Sequence, residues 1–145
     1  MRVAITGHRP ERIKGKEQEI RNWIAQQLGE LAANNGTLDC YSGMATGTDQ
    51  IFGFAALAGD HRLHCVYPFH GKENAMSKHL ATQANSVVYI FKDYDRKAYI
   101  SRDKYLVDNC DILLAVWDGI EQGGTWQTIK YAQAQGKDII YMMIA

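Results

Sequence analysis

Residues 112–125 read Ile-Leu-Leu-Ala-Val-Trp-Asp-Gly-Ile-Glu-Gln-Gly-Gly-Thr. The apolar run from Ile112 to Trp117 predicts a strand buried on both faces, as in parallel sheets that are covered by helices. The polar segment after it is rich in glycine, and a helical pattern then runs from Thr125 to Gln135. This order of strand, short loop and helix predicts a βα unit of an α/β fold.

The same alternation of short apolar stretches and longer helical patterns extends over the whole chain. The predicted strands are Arg2–Thr6, Leu38–Tyr41, Leu63–Tyr67, Val87–Phe91, Ile112–Trp117 and Asp138–Ile144. The predicted helices are 20–32 with a stop at Asn35-Gly36, 46–58 opened by a Thr46-x-x-Asp49 capping box, 72–84, 96–109 and 125–135. We expect a single Rossmann-like, three-layer α/β domain over residues 1–145 with a mainly parallel sheet.

Length and charge narrow the classes of function. The 145 residues suffice for one domain, and 16 Lys and Arg balance 16 Asp and Glu. A neutral chain has no net field that attracts polyanions, so we expect no general nucleic-acid binding and no membrane binding. The first seven residues lack the apolar stretch of a signal peptide, and we expect a cytoplasmic protein.

Cysteine and histidine spacings point to neither a disulfide framework nor a metal site. Cys40, Cys65 and Cys110 lie in or beside apolar stretches, which favours free thiols in the core. The five histidines form no metal-binding pattern. We therefore expect no metal and no cofactor.

The segments after the predicted strands concentrate the residues that can bind a ligand, because ligands of open parallel sheets bind beyond the carboxyl ends of the strands. Two of these segments combine glycines with a helix start, an arrangement that brings backbone N–H groups close to an anion. The candidate binding residues on these loops are Gly7, His8, Arg9, Ser42, Gly43, Met44, Gly47, Asp49, Asp118, Gly123, Gly124 and Thr125. Neither loop has the spacing of a P-loop or of a dinucleotide fingerprint.

Charged residues near these loops have more than one interpretation. Arg9 can bind a phosphate with two of its guanidinium nitrogens, and Arg102 can turn inward to a phosphate. Asp49 is either a capping carboxylate or an acceptor for a ribose hydroxyl. Asp118, at a strand end, and Glu121, in the same loop, are candidate catalytic carboxylates for acid–base work at a glycosidic bond.

Taken together, the ordered motifs resemble the SLOG superfamily. The motifs are Thr6-Gly-His-Arg-Pro10, Ser42-Gly-Met-Ala-x-Gly47-x-Asp49, Arg102, Asp111-Ile-Leu-Leu-Ala-Val-Trp-Asp-Gly119 and Gly123-Gly-Thr125. The superfamily includes the DNA-processing protein A domain and the "lonely guy" phosphoribohydrolases, and the chain is most similar to small bacterial and phage proteins of the YpsA-like branch. The resemblance implies a Rossmann-like fold and a nucleotide-type ligand held at the glycine-rich loops.

The chain departs from the hydrolases of that superfamily at one position. Those enzymes carry a catalytic Glu one helical turn after the glycine-rich loop, where this sequence reads Thr125-Trp-Gln-Thr128. The leading hypothesis is therefore binding of a nucleotide or nucleotide-derived molecule, as a sensor or a sequestering protein. One alternative is a nucleoside 5′-monophosphate N-glycosidase that uses Asp118 and Glu121. Another is a protein-interaction module with a vestigial pocket. A homo-oligomer would allow a neighbouring copy to complete the pocket.

Overall fold

A computed structural model describes residues 1–144. Its six strands are β1 Arg2–Thr6, β2 Asp39–Ser42, β3 Arg62–Tyr67, β4 Ser86–Tyr89, β5 Ile112–Trp117 and β6 Asp138–Met143. Its five α-helices are α1 Glu17–Asn35, α2 Thr48–Ala58, α3 Ala75–Ala81, α4 Ala98–Asp108 and α5 Gly123–Ala134. A short 3-10 turn, Pro10–Arg12, follows β1.

The six strands form one sheet in the order β4-β3-β2-β1-β5-β6, and every pairing is parallel. The chain moves outward from β1 to β4 on one side, then crosses back to place β5 on the other side of β1. The strand order thus reverses between β1 and β5, where the loops after these strands separate and leave a crevice. The loop that contains Arg9 and the first turn of α5, which contains Gly124, both line this crevice.

Helices cover both faces of the sheet and produce three layers. On one face, α1, α2 and α3 contribute Ile24, Phe52 and Leu80 to a large apolar cluster. On the other face, α4 and α5 contribute Leu106 and Ala132 to a smaller one. The expected Rossmann-like α/β architecture is confirmed. None of the helices in residues 1–144 is long and apolar enough to cross a membrane.

The three cysteines lie in these clusters, as predicted. Cys40 and Cys65 belong to the large cluster and Cys110 to the smaller one, and all three are fully buried free thiols. Burial raises the pKa of the Cys40 and Cys65 thiols to about 12 and that of Cys110 to about 11. They therefore act as small apolar core residues.

Several element boundaries differ from the predicted ones. β2 lies one residue later than predicted, and β4 ends at Tyr89 rather than Phe91. Helix α3 begins at Ala75 instead of residue 72, because Asn74 and Ser77 form a reciprocal capping box there. Helix α5 begins at Gly123, two residues before the predicted start, so the two glycines belong to its first turn.

The predicted capping box of Thr46 and Asp49 is wrong. Helix α2 begins at Thr48, and the residue before it, Gly47, makes no side-chain capping bond. The Asp49 carboxylate instead accepts a hydrogen bond from the Ala45 N–H at 3.2 Å. This bond points Asp49 back toward the loop after β2.

Candidate functional site

A cavity of about 350 Å³ lies at the carboxyl end of the sheet, in the crevice between the β1 and β5 loops. Its walls come from the loops after β1 and β2, from the first turn of α5 and from one face of α4. The predicted binding residues that line it are Gly7, His8, Arg9, Asp49, Arg102, Gly124 and Thr125. A second cavity of about 240 Å³ adjoins it, and Gly43 and Met44 line that one.

The N-terminus of α5 opens toward the cavity. Gln122 precedes the helix and makes no side-chain capping bond, so the first-turn N–H groups have no such partner. A Cβ added to Gly124 would meet nothing within 4 Å among the described residues. Position 123 requires glycine, because its backbone φ is +89°. The helix dipole and these N–H groups together favour an anion at this end of the cavity.

His8 is nearly fully buried and connects the β1 loop to the β5 loop and α5. The backbone N–H of Asp118 donates to His8 Nε2 at 3.1 Å, which makes Nε2 an acceptor and assigns the ring proton to Nδ1. Nδ1 lies 3.4 Å from Thr125 Oγ1. Burial lowers the pKa of His8, against the opposing effect of the Asp118 carboxylate, so the ring is neutral near pH 7.

Asp118 is engaged with protein partners beside the cavity. Its carboxylate pairs with the Arg12 guanidinium and accepts from the Ile120 N–H at 3.0 Å. Burial tends to raise the pKa of Asp118, but Ile120 N–H, His8 and Arg12 outweigh it and hold that pKa below its usual value. Neither Asp118 nor the exposed Glu121 lines the cavity. Their catalytic assignment stays a prediction.

Gly7 and Gly47 allow the β1 and β2 loops to pack against each other. A Cβ on Gly7 would lie 2.4 Å from the Thr48 side chain, and one on Gly47 would lie 2.8 Å from the His8 carbonyl oxygen. The Thr48 hydroxyl also donates to that carbonyl oxygen at 2.9 Å. These glycines thus fix the position of His8 and Arg9.

The loop after β2 is held by its own side chains. The Ser42 hydroxyl donates to the Asp49 carbonyl oxygen at 2.8 Å and accepts from the Met44 N–H at 3.2 Å. Met44 has a positive φ of 64°, a conformation that these bonds hold in place. Ser42 therefore shapes the loop, and it does not line either cavity.

Arg102 lies between two carboxylates at the base of the cavity. Its Nε donates to Asp103 Oδ1 at 2.9 Å and its Nη1 to the Gly43 carbonyl oxygen at 3.0 Å. A Cβ on Gly43 would lie 2.9 Å from Arg102 Cδ and 3.0 Å from Asp49 Oδ2, so only glycine leaves room for both side chains. Arg102 turns inward, with its side chain 10% exposed, and its contact with a phosphate stays a prediction.

Both carboxylates beside Arg102 are shifted toward the protonated form. Burial raises the pKa of Asp49 to about 6, although Arg102 opposes the shift. Burial also raises the pKa of Asp103, again against the effect of Arg102. Both carboxyl groups line the cavity, where they can hydrogen-bond ligand hydroxyls, and Asp49, with its raised pKa, can exchange a proton near neutral pH.

Four of the charged and aromatic residues that line the cavity were not predicted from the sequence. Tyr99 and Asp103 line the cavity together with Arg102 and Leu106, and their positions follow the spacing of one helix face. That spacing is the signal that would have identified them. Glu11 and Arg12 also line the cavity. They lie in the 3-10 turn after β1, a feature that the sequence did not predict.

Two further features concern the tryptophans of β5 and α5 and the groups that could hold a metal ion. The Trp117 and Trp126 rings stack on each other at 5.2 Å, and neither lines the cavity. Among residues 1–144, no group of three or more His, Cys, Asp and Glu side chains is placed to hold a metal ion.

Comparisons with known proteins identify similar folds. No protein-family model matches the sequence, and no curated protein matches it. DNA processing protein A from Streptococcus pneumoniae has a TM-score of 0.72 at 16% identity, over 99% of this chain and 50% of that one. The Helicobacter pylori protein of the same name, described for its single-stranded DNA binding, has a TM-score of 0.73 at 19% identity, over 100% and 66%.

A third solved structure, the structural genomics target TM1055, has a TM-score of 0.66 at 20% identity and covers 95% of this chain and 71% of that one. The chain thus spans about half to two thirds of the two DNA processing proteins. At these identities the likeness establishes the fold, and it agrees with the resemblance to the SLOG superfamily at that level. The YpsA-like branch stays a prediction.

Proposed function

We propose that this protein binds a nucleotide or nucleotide-derived small molecule with a phosphate at the N-terminus of α5. The observation that carries the proposal is the uncapped first turn of α5, which opens into a cavity beside an exposed arginine, Arg9. Phosphates are favoured at such a position, because N–H groups and the helix dipole act on the same anion.

Side chains around the helix start add donors for a phosphate. The Arg9 guanidinium offers paired N–H groups that match two phosphate oxygens. At the same end of the cavity, the Nδ1–H of neutral His8 faces Thr125 Oγ1, which leaves the Thr125 hydroxyl hydrogen for the phosphate. A neutral His8 donates without adding charge, so Arg9 and the helix supply the electrostatic attraction.

The opposite wall suits a nucleoside. Tyr99 and Leu106 provide aromatic and apolar surface for a base, whereas Asp49 and Asp103 provide acceptors for ribose hydroxyls. The cavity volume of about 350 Å³ is at the lower end of the usual range for small-molecule sites, roughly 300–1,000 Å³.

The proposed partner is a small molecule rather than a nucleic-acid polymer. Binding of single-stranded DNA is described for the Helicobacter pylori protein, and at 19% identity it does not transfer to this chain. Polymer binding depends on many phosphate contacts, and the 16 basic side chains here are balanced by 16 acidic ones. A single-stranded oligonucleotide therefore belongs in the test as a competing ligand.

The test is isothermal titration calorimetry with nucleoside mono- and diphosphates, ADP-ribose and cyclic nucleotides. Gly124→Ala places a methyl group where the phosphate would approach the helix, so we expect at least tenfold weaker binding, or ~1.4 kcal/mol. Gly29→Ala is the matched control, because an added Cβ there also meets nothing within 4 Å and lies on the exposed face of α1.

Both alanine variants should fold at least as stably as the wild type, since alanine favours a helix over glycine by roughly 1 kcal/mol. Loss of stability in Gly124→Ala alone would leave Arg9→Ala as the second probe, since Arg9 is exposed. The proposal is wrong if none of the nucleotides binds, or if both Gly124→Ala and Arg9→Ala bind them as the wild type does.

Hydrolysis of an N-glycosidic bond is the alternative, and the Asp49–Arg102–Asp103 arrangement favours it. In that reaction water adds to C1′ of the sugar and loses a proton to one carboxylate, while the bond to the base breaks and a second, protonated carboxyl group supplies the proton that the leaving base takes. Asp49, with a pKa of about 6, is suited to donate that proton near neutral pH.

Chromatography of nucleotide mixtures after incubation would detect the free base. Asp49→Asn and Asp103→Asn should abolish release of base, whereas Glu121→Gln, on an exposed loop residue, should leave it unchanged. Base release can instead persist in both Asn variants and be lost in Asp118→Asn or Glu121→Gln. That result would assign the catalytic roles to Asp118 and Glu121, as predicted from the sequence.

A further inference from the structure

The second cavity, of about 240 Å³, differs from the first in charge. Arg9, Lys72 and Arg102 line it, and no Asp or Glu does. The first cavity has Glu11, Asp49 and Asp103 among its walls. Arg102 is paired with Asp103, but Arg9 and Lys72 form no ion pair among the described residues. The ligand that fits the second cavity is therefore an anion, because these two cations favour negative charge.

The two cavities adjoin rather than lie apart. They share Arg9, Ala45, Thr46, Tyr99 and Arg102 as lining residues. Arg9 is exposed between them, so one guanidinium borders both spaces. A single extended ligand can thus occupy both cavities and contact Arg9 at its middle.

Tyr67, which lines the second cavity and also a further one beside Glu73 and Tyr89, has a buried hydroxyl without a partner in residues 1–144. Tyr67 is 2% exposed, and its Oη has no hydrogen-bond partner among the described residues. Ser77 is near enough to affect the pKa of Tyr67, but its hydroxyl already donates to the Asn74 carbonyl oxygen and accepts from Asn74 N–H. A buried polar group without a partner is costly, and a ligand oxygen in this cavity would satisfy it.

Further polar side chains at this cavity are oriented by their neighbours. Asn74 Nδ2 donates to Thr46 Oγ1 at 3.2 Å, which leaves the hydroxyl hydrogen of Thr46 free to donate elsewhere. The Lys72 ammonium lies 5.7 Å from the centre of the Tyr99 ring, a cation–π distance that holds it near the cavity. The wall therefore combines cations and hydroxyl donors.

We propose that the second cavity is a subsite for a second phosphate, so that the ligand is a nucleotide with two phosphate groups. This inference rests on the proposed function, which places the first phosphate at α5. The two phosphates belong either to one 5′-diphosphate or to the separate 3′ and 5′ positions of a bisphosphate. Both share the chemistry that Arg9, Lys72 and the Tyr67 hydroxyl recognise.

The experiment compares affinities by calorimetry for the 5′-monophosphates, 5′-diphosphates and 3′,5′-bisphosphates of adenosine, guanosine, cytidine and uridine, together with inorganic pyrophosphate. The second phosphate should raise affinity by about tenfold for the preferred base, and Lys72→Gln should remove that gain while monophosphate binding stays within about twofold. Lys14→Gln is the matched control, since Lys14 is exposed and lines neither cavity.

Tyr67→Phe gives an independent readout. It removes a hydroxyl that has no partner in the free protein, so folding stability should be unchanged or higher while the gain from the second phosphate falls. Equal affinity for mono- and bisphosphorylated nucleotides, or a gain that persists in Lys72→Gln and Tyr67→Phe, would overturn the subsite. Pyrophosphate that binds in a Lys72-dependent way while no nucleotide binds would retain the subsite and refute the proposed function. Absence of binding by nucleotides and pyrophosphate alike would refute both.

Discussion

Charged side chains have different partners at the two ends of the same parallel sheet. At the amino end, Asp39 accepts from Arg62 Nε at 2.7 Å and Nη2 at 3.0 Å, and His64 Nε2 lies 2.8 Å away. At the carboxyl end, Arg102 binds Asp103 and the Gly43 carbonyl oxygen, while Arg9 and Lys72 border open cavities. The amino-end charges satisfy one another, whereas the carboxyl-end charges surround space for a ligand.

The pKa shifts follow the same division. The Arg62 and His64 hydrogen bonds hold the pKa of Asp39 well below its usual value, although burial opposes them. Burial raises the pKa of Asp49 in spite of Arg102. Asp39 and Asp103 have the same side-chain exposure, 24%, so the difference lies in their partners. Arg62 and His64 favour the charged form of Asp39, whereas Arg102 does not offset burial at Asp49 and Asp103.

The largest effect is expected from removing the buried cation. Arg102→Ala leaves Asp49 and Asp103 enclosed without a counter-charge, so the free energy of unfolding should fall by about 3–5 kcal/mol. Urea denaturation measures this loss. A loss under about 1 kcal/mol would mean that Arg102 does not compensate the two carboxylates.

A smaller effect is expected in the pH dependence of stability, with opposite signs at the two ends. The pKa of Asp49 rises from 3.8 to about 6 on folding, so the folded state holds the proton more tightly and stability falls as pH rises from about 4 to about 6. Asn at this position should remove that fall, which is on the order of 3 kcal/mol. The pKa of Asp39 is lowered on folding, so its contribution is present above its usual pKa and disappears as pH falls below it.

Asp39→Asn should therefore reduce stability at neutral pH, whereas Asp49→Asn should increase it. Both substitutions should have little effect in strong acid. Urea denaturation between pH 3 and pH 8 compares the two variants. Profiles that change in the same direction would contradict the contrast between the two ends of the sheet.

The smallest effect is expected from Arg62→Ala. Arg62 is exposed and its ion pair with Asp39 is accessible to solvent and salt, so the loss of stability should be far below that of Arg102→Ala and should diminish in high salt. A loss as large as that of Arg102→Ala would show that exposure does not separate the two ends.

Strands and helices with an uninterrupted apolar run or helical spacing were predictable from the sequence. The apolar run of β5 and the helical spacing of α1 identified βα units, and parallel strands then require that the loops after them meet at one edge. That rule predicts that Arg9, Gly124 and Thr125 lie close together at the carboxyl edge of the sheet.

Features that depend on side-chain competition were not predictable in the same way. Asp49 was expected either to cap α2 or to accept a ribose hydroxyl, and its carboxylate binds Ala45 N–H in the preceding loop. The start of α3 depends on the reciprocal bonds of Asn74 and Ser77, which outweigh a longer helical pattern. Asp103 was not predicted to line the site, because its partial burial follows from how α4 packs on the sheet.

The central claim is that a phosphate binds at the carboxyl end of the sheet and not at the amino end. Titration of the isotope-labelled protein with the nucleotide that binds most tightly, followed by backbone amide NMR, tests it most directly. We predict large shifts of the Gly124 and Thr125 amides, while those of Asp39 and Arg62 stay unchanged. Unchanged Gly124 and Thr125 amides at saturation, or larger shifts at Asp39 and Arg62, would contradict it.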